Sequence, residues 1–216
     1  DFSNAFNMVD RSTFLEACRV HTSGLLRWAH WCYKGKSRLL YEDNMVPSTA
    51  GVQQGDSVGP LLFSLALHPL LQQLNALKQK EGSKLDVVVA YLDDVVICGD
   101  DEAVREALTI LQQDAPQLGL VLNLEKCEVI PTAGVNSDAN MSNYPASIRK
   151  VTTGNFDVLG APVGSQAHCA EYTRRKRLSK AAPKLHETAA LEDAQISHKL
   201  LSQSLGSRRM IYAMRV

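Results

Sequence analysis

Residues 87–101, VVVAYLDDVVICGDD, set two adjacent carboxylates, Asp93 and Asp94, inside an apolar run. The flanking residues read as two strands folded about a turn at residues 92–94, so a hairpin is expected. An ionised carboxylate buried without a partner is costly enough that it usually neutralises instead. Two such groups on a short, stiff turn therefore stand in water at an exposed tip, or share a cation. An ion that prefers oxygen, Mg²⁺ first, supplies that charge and is typically held by one or two carboxylates plus substrate phosphates.

The rest of the chain supports a core around this hairpin. Among 216 residues, 45% are hydrophobic and 21% charged, the balance of an ordinary globule. Lys+Arg and Asp+Glu are equal at 23 each, so any grip on polyanions must come from local patches. The five cysteines are odd in number and contain no C-x-x-C pair, which predicts reduced thiols in an intracellular protein. Cys18, His21, His30 and Cys32 fit no common zinc spacing and read as unpaired helix-face residues. The longest apolar stretch, residues 61–71, is broken by Ser64, His68 and Pro69 and is too short to cross a membrane. A chain opening on DFSNAF without Met reads as a piece of something longer.

Along the chain, Asp10 or Ser12 can cap a helix through TFLEACRV, and GLLRWAHWCYKG continues in helical or mixed form. SRLLYEDNMVPST reads as a hairpin turning at Glu42, Asp43 and Asn44. Gly59 and Pro60 open a helix with Leu62, Ala66, Leu70, Leu74 and Leu77 along one face, kinked at Pro69. Asp100 or Asp101 caps an amphipathic helix carrying Val104, Ala107, Leu108, Leu111, Ala115 and Leu118, which Gly119 stops. LVLNLEKCEVI reads as a strand, residues 131–147 as a polar surface insertion, and FDVLGAPVG as a short strand pair. Helical pattern fills the remainder, beginning with the basic block TRRKRLSKAAPK. A composition shift near Ser165 divides an α+β body, residues 1–165, from a helical appendage, residues 166–216.

Five segments in order carry a resemblance to a known family. DFSNAFNMVDR, GVQQGDSVGPLLFSLALHPLL, AYLDD, GLVLNLEKCEV and FDVLGAPVG resemble the five palm motifs of reverse transcriptases, particularly those of non-long-terminal-repeat (LINE-like) retroelements. A lone Y-x-D-D would be weak; five motifs at family-like spacings are specific. The resemblance implies a polymerase palm, an antiparallel sheet packed on helices, followed by a helical thumb-like segment and a primer grip at the fifth motif. The family's fingers, with their triphosphate-clamping basic residues, would precede Asp1 and are missing here.

The implied activity is RNA-directed DNA polymerisation, with an RNA template, a DNA primer and deoxynucleoside triphosphates as partners and no membrane. By the same resemblance Asp1, Asp93, Asp94 and the Phe2 carbonyl hold two Mg²⁺ ions, or Mn²⁺. Phe6 matches the aromatic beneath the incoming sugar, although a core role is as consistent with the residue itself. Gln54, Gly55 and Tyr91 match nucleotide contacts, and Gly55 permits close backbone approach. Lys126 matches a lysine that assists departing pyrophosphate, or is a solvated strand-end lysine. Arg174, Arg175, Lys176, Arg177, Lys180 and Lys184, then Arg208 and Arg209, stand where the family's thumb holds backbone phosphates. Ser57-Val58 departs from the family's usual Pro-Leu. Two other readings are open: a catalytically inactive remnant that at most binds nucleic acid, and an RNA-dependent RNA polymerase. The latter more often carries Gly-Asp-Asp.

Overall fold

The longest helix organises the first half of the molecule. The computed structural model describes residues 1–131 and 141–205. Contacts divide the chain into two compact units, Asp1–Cys127 with Ser142–Ile148, and Glu128–Met141 with Arg149–Val216.

In the first unit, helix α4 (Gly59–Ala76) starts with Pro60 in its first turn, where no N–H is needed, and runs on through Pro69. Leu62, Phe63, Ala66, Leu67, Leu70 and Leu74 are all buried along it. That is a broader stripe than the expected row, because Phe63 and Leu67 fill the neighbouring ridge. Helix α2 (Arg11–His21) packs on α4 and on α3 (Ser23–Tyr33). Its cap is Asp10, whose carboxylate accepts from the Thr13 N–H at 3.1 Å. A hairpin follows, β1 (Ser37–Tyr41) paired with β2 (Asn44–Ser48), turning at Glu42 and Asp43. Strands β3 (Leu85–Tyr91) and β4 (Asp94–Gly99) form the second hairpin. It packs on α4 and on α5 (Asp101–Asp114), which a 3₁₀ turn extends to Gly119, where φ is 75°.

The opening residues are strapped between two distant segments. The Gly51 N–H donates to the Val9 carbonyl at 2.8 Å and the Val52 N–H to that of Phe6 at 2.7 Å. On the other side the Asp10 N–H donates to the Leu118 carbonyl at 2.9 Å. Val9, Val52 and Leu120 are buried accordingly.

In the second unit β5 (Glu128–Val129) pairs in parallel with β6 (Arg149–Lys150), and β7 (Phe156–Val158) pairs with β8 (Ala161–Val163) about a Leu159-Gly160 turn. Ser165 caps α6 (Gln166–Thr173). The helix widens through one π turn, Arg174–Leu178, into α7 (Ser179–Ala189). Asp193 caps α8 (Ala194–Leu200).

Two expectations are corrected in detail. The strand expected over LVLNLEKCEVI is mostly turn: the Asn123 carbonyl accepts from the Lys126 and Cys127 N–H groups, each at 3.1 Å. Only an isolated bridge at Leu122 and the two-residue β5 remain extended. The single antiparallel sheet is replaced, among the described residues, by four two-stranded ladders. The opening segment contributes one bridge, Phe2 to Leu122. Most of the polar stretch at residues 131–147, together with Arg208 and Arg209, lies outside the described residues.

Candidate active site

The acidic tip is a two-residue turn. Tyr91 faces Asp94 across the β3–β4 ladder, leaving Leu92 and Asp93 between them. Leu92 has a φ of 58°, a left-handed conformation that costs a non-glycine residue about 1–2 kcal/mol. Packing of its side chain on the core holds it there. Strand alternation sends Val88, Ala90, Val95 and Ile97 inward and leaves Val87, Val89, Tyr91 and Val96 exposed. Asp93 is half-buried and Asp94 exposed. Neither carboxylate has a hydrogen-bond or ion-pair partner among the described residues.

Asp1 is anchored differently. Its carbonyl accepts from the Asn123 N–H at 3.0 Å, and the Ser3 N–H donates to the Val121 carbonyl at 2.8 Å. Successive residues of an antiparallel ladder send their backbone groups to opposite sides. The N–H and carbonyl of Phe2 therefore turn away from residues 121–123, while its ring is buried. The Asp1 carboxylate lies 3.8 Å from Lys126 Nζ, with side chains 30% and 62% exposed. An ion pair so accessible contributes at most about 1 kcal/mol, but it places two expected site residues together.

Among the described residues no three His, Cys, Asp or Glu side chains gather closely enough to hold a metal ion. Asp1, Asp93 and Asp94 thus form no ready-made cage. Their donor chemistry is right for Mg²⁺ or Mn²⁺: carboxylate oxygens and a carbonyl, without soft ligands.

Phe6 lies on a short helical turn, α1 (Ala5–Met8), and stacks on Phe63 with ring centroids 4.7 Å apart and planes 11° from parallel. One side of the residue thereby packs on the core, yet Phe6 is only partly buried. Gln54 and Gly55 lie on an exposed turn. Gly55 has a φ of 93°, and a side chain there would meet no atom within 4 Å, so conformation rather than space calls for glycine.

A network the sequence reading missed supports this turn. Arg11, buried to 8% exposure, donates to the carbonyls of Gly35, Ser48, Ala50 and Gly51 and to the Ser48 hydroxyl. Its guanidinium stacks over Tyr33, 5.4 Å from the ring centre, and burial pulls its pKa below the ordinary arginine value. The Tyr33 hydroxyl donates to the Asp56 carboxylate and accepts from the Gln53 N–H at 3.2 Å. Burial first, then that carboxylate, pushes the Tyr33 pKa up to about 12. One signal was legible: a cation as the first helical residue opposes the helix dipole and needs another reason to be there.

In the second unit Arg174, Arg175, Lys176 and Lys180 are exposed, with Arg174 paired to Glu171 at 2.7 Å. Arg177 differs. Its guanidinium donates to the Gly160 carbonyl at 2.9 Å, tying the π turn to the β7–β8 hairpin.

Residues 1–163 match the family described as reverse transcriptase (RNA-dependent DNA polymerase). The chain is 30% identical over 146 residues to the retrotransposable element SLACS 132 kDa protein of Trypanosoma brucei gambiense, covering 62% of this chain and 12% of that protein. It is 27% identical over 143 residues to the retrovirus-related Pol polyprotein from type-2 retrotransposable element R2DM of Drosophila melanogaster, covering 62% of this chain and 13% of that one. The chain thus spans about an eighth of the length of either relative. Among the described residues no helix is long and apolar enough to cross a membrane.

Proposed function

The chain belongs to the reverse transcriptase family, and from that premise we propose that it is the palm and partial thumb of an RNA-directed DNA polymerase from a LINE-like retroelement. The observation that carries the reading is the acid–turn–acid series, Asp1, Gln54-Gly55 and Asp93-Asp94, lying wholly inside the matched span. The reaction is attack of a primer 3′ hydroxyl on the α-phosphorus of a deoxynucleoside triphosphate, with pyrophosphate leaving.

Asp1, Asp93, Asp94 and the Phe2 carbonyl are the groups that would hold divalent ions. Mg²⁺ or Mn²⁺ bound there neutralises the charge that develops on the attacking and leaving oxygens. The carboxylates at the tip, unpaired among the described residues, and the Phe2 carbonyl, which turns away from residues 121–123, support this assignment. Phe6, backed by Phe63, offers a flat ring to the incoming sugar and leaves little room for a 2′ hydroxyl. Gln54 and Gly55 border the nucleotide on the turn that Arg11 and Tyr33 hold, and Tyr91 presents an exposed ring beside the tip. Lys126 neutralises Asp1 before ions bind and is available to donate a proton to departing pyrophosphate. Arg174, Arg175, Lys176 and Lys180 meet backbone phosphates, with Arg177 bracing their helix. The functional boundary falls near residue 165, residues 166–216 serving as the thumb-like part. Five free cysteines support an intracellular setting.

Primer extension on an RNA template tests this, using this chain and a longer polypeptide that adds upstream residues. Incorporation that requires Mg²⁺ and is lost in Asp93→Asn supports it; extension that survives Asp93→Asn overturns it. A second reading, nucleic-acid binding without catalysis, is favoured by the ungathered carboxylates. It is upheld if both polypeptides bind primer–template and neither extends it.

A further inference from the structure

Residues 17–41 contain Arg19, Arg27, Lys34, Lys36 and Arg38 and no Asp or Glu, in a chain whose net charge is zero. Arg19 is paired with Glu16. Arg27, Lys34, Lys36 and Arg38 are exposed and have no ion-pair partner among the described residues.

Both tryptophans of the chain lie in the same segment. Trp31 is 81% exposed and Trp28 39%. Gly24, Arg27, Trp28 and Trp31 line an open cleft of about 430 Å³ on α3. Their spacing of three and four residues makes one helix face, and Lys34, three residues beyond Trp31, continues it. From Gly24 to Lys34 the face runs about 15 Å at the helical rise.

A large indole standing in water costs free energy, and such patches mark binding surfaces. Two rings interleaved with unpaired cations, without a competing acid, match what a single polynucleotide strand needs: flat faces for unstacked bases and positive charge for phosphates. A duplex keeps its base faces covered and offers nothing for projecting rings. We propose that this face of α3 binds a single-stranded segment of RNA, separately from the Asp93 tip.

The test needs no knowledge of catalysis, because all tryptophan emission of the full chain comes from this surface. Titration with a single-stranded RNA of about a dozen nucleotides should quench it saturably. Affinity, read by anisotropy of labelled RNA, should fall about tenfold in Trp31→Ala, roughly the loss of one stacked base. Trp31→Phe should keep most of it. Arg27→Gln should weaken binding and lower the slope of log Kd against log salt by about one. The proposal is overturned if RNA binds without quenching, if Trp31→Ala binds as tightly as the parent, or if duplex RNA quenches equally well. Self-association that Trp31→Ala abolishes, with no response to RNA, would give the face to a protein partner instead.

Discussion

Gly51 has a φ of 71°, and a Cβ on it would lie 2.4–2.5 Å from backbone atoms of Asn7. No small shift relieves such a clash, since backbone meets backbone and the Gly51 N–H is bonded to Val9. Gly51→Ala should therefore cost about 3 kcal/mol, measured as a lower urea midpoint at unchanged slope. Tyr33, hydrogen-bonded to Gln53 and Asp56 on either side of the turn at Gln54, gives a pH signature. Its folded pKa is raised from 10.0 to about 12, so the native state holds this proton more tightly than the unfolded chain does. The stabilisation is complete below pH 10 and is lost as pH rises from 10 towards 12. In Tyr33→Phe the fall in urea midpoint across that window should be shallower than in the parent.

Helix α5 begins at the N-cap position Asp100 but takes its side-chain cap from a distant residue, Ser83. The Asp100 carboxylate accepts from the Lys84 N–H at 2.9 Å, while the Ala103 N–H donates to Ser83 Oγ at 3.0 Å. Ser83→Ala should destabilise the chain by about 1 kcal/mol, and hydrogen exchange at the Ala103 amide should quicken. This cap was not legible: the letters offered Asp100 or Asp101, and Ser83 lies eighteen positions from the helix it serves. What could be read was periodic and local. The α4 stripe, the hairpin at Tyr91–Asp94 and the Asp10 cap each follow from a few neighbouring residues. What could not be read depends on distant partners. LVLNLEKCEVI reads as a strand, but the Asn123 carbonyl closes a turn there. The residues of the acidic tip were recognisable as letters. The support of the Gln54–Gly55 turn by Arg11, which gathers carbonyls from residues 35–51, was not.

At the scale of the whole chain, the compact units do not follow the sequence in one piece, since Ser142–Ile148 belongs to the first unit and Glu128–Met141 to the second. The Tyr144 hydroxyl donates to an Asp101 carboxylate oxygen at 2.9 Å, which fastens that inserted segment within the first unit. In the second unit the β7–β8 hairpin is only three residues a side, too short to persist alone. Its support comes from beyond residue 165: the Tyr172 hydroxyl donates to the Asp157 carboxylate at 3.3 Å, and Arg177 to the Gly160 carbonyl at 2.9 Å. A chain cut at residue 165 would keep every letter of the hairpin and lose both bonds. Hydrogen exchange at the hairpin amides should then be at least about tenfold faster than in the 216-residue chain, as expected for a segment that opens locally. Arg177→Ala in the full chain should reproduce part of that loss and leave exchange in α4 unchanged. Equal protection in the cut and full chains would mean that the hairpin draws its order from residues 1–165, and that the helical segment can be removed without disturbing it.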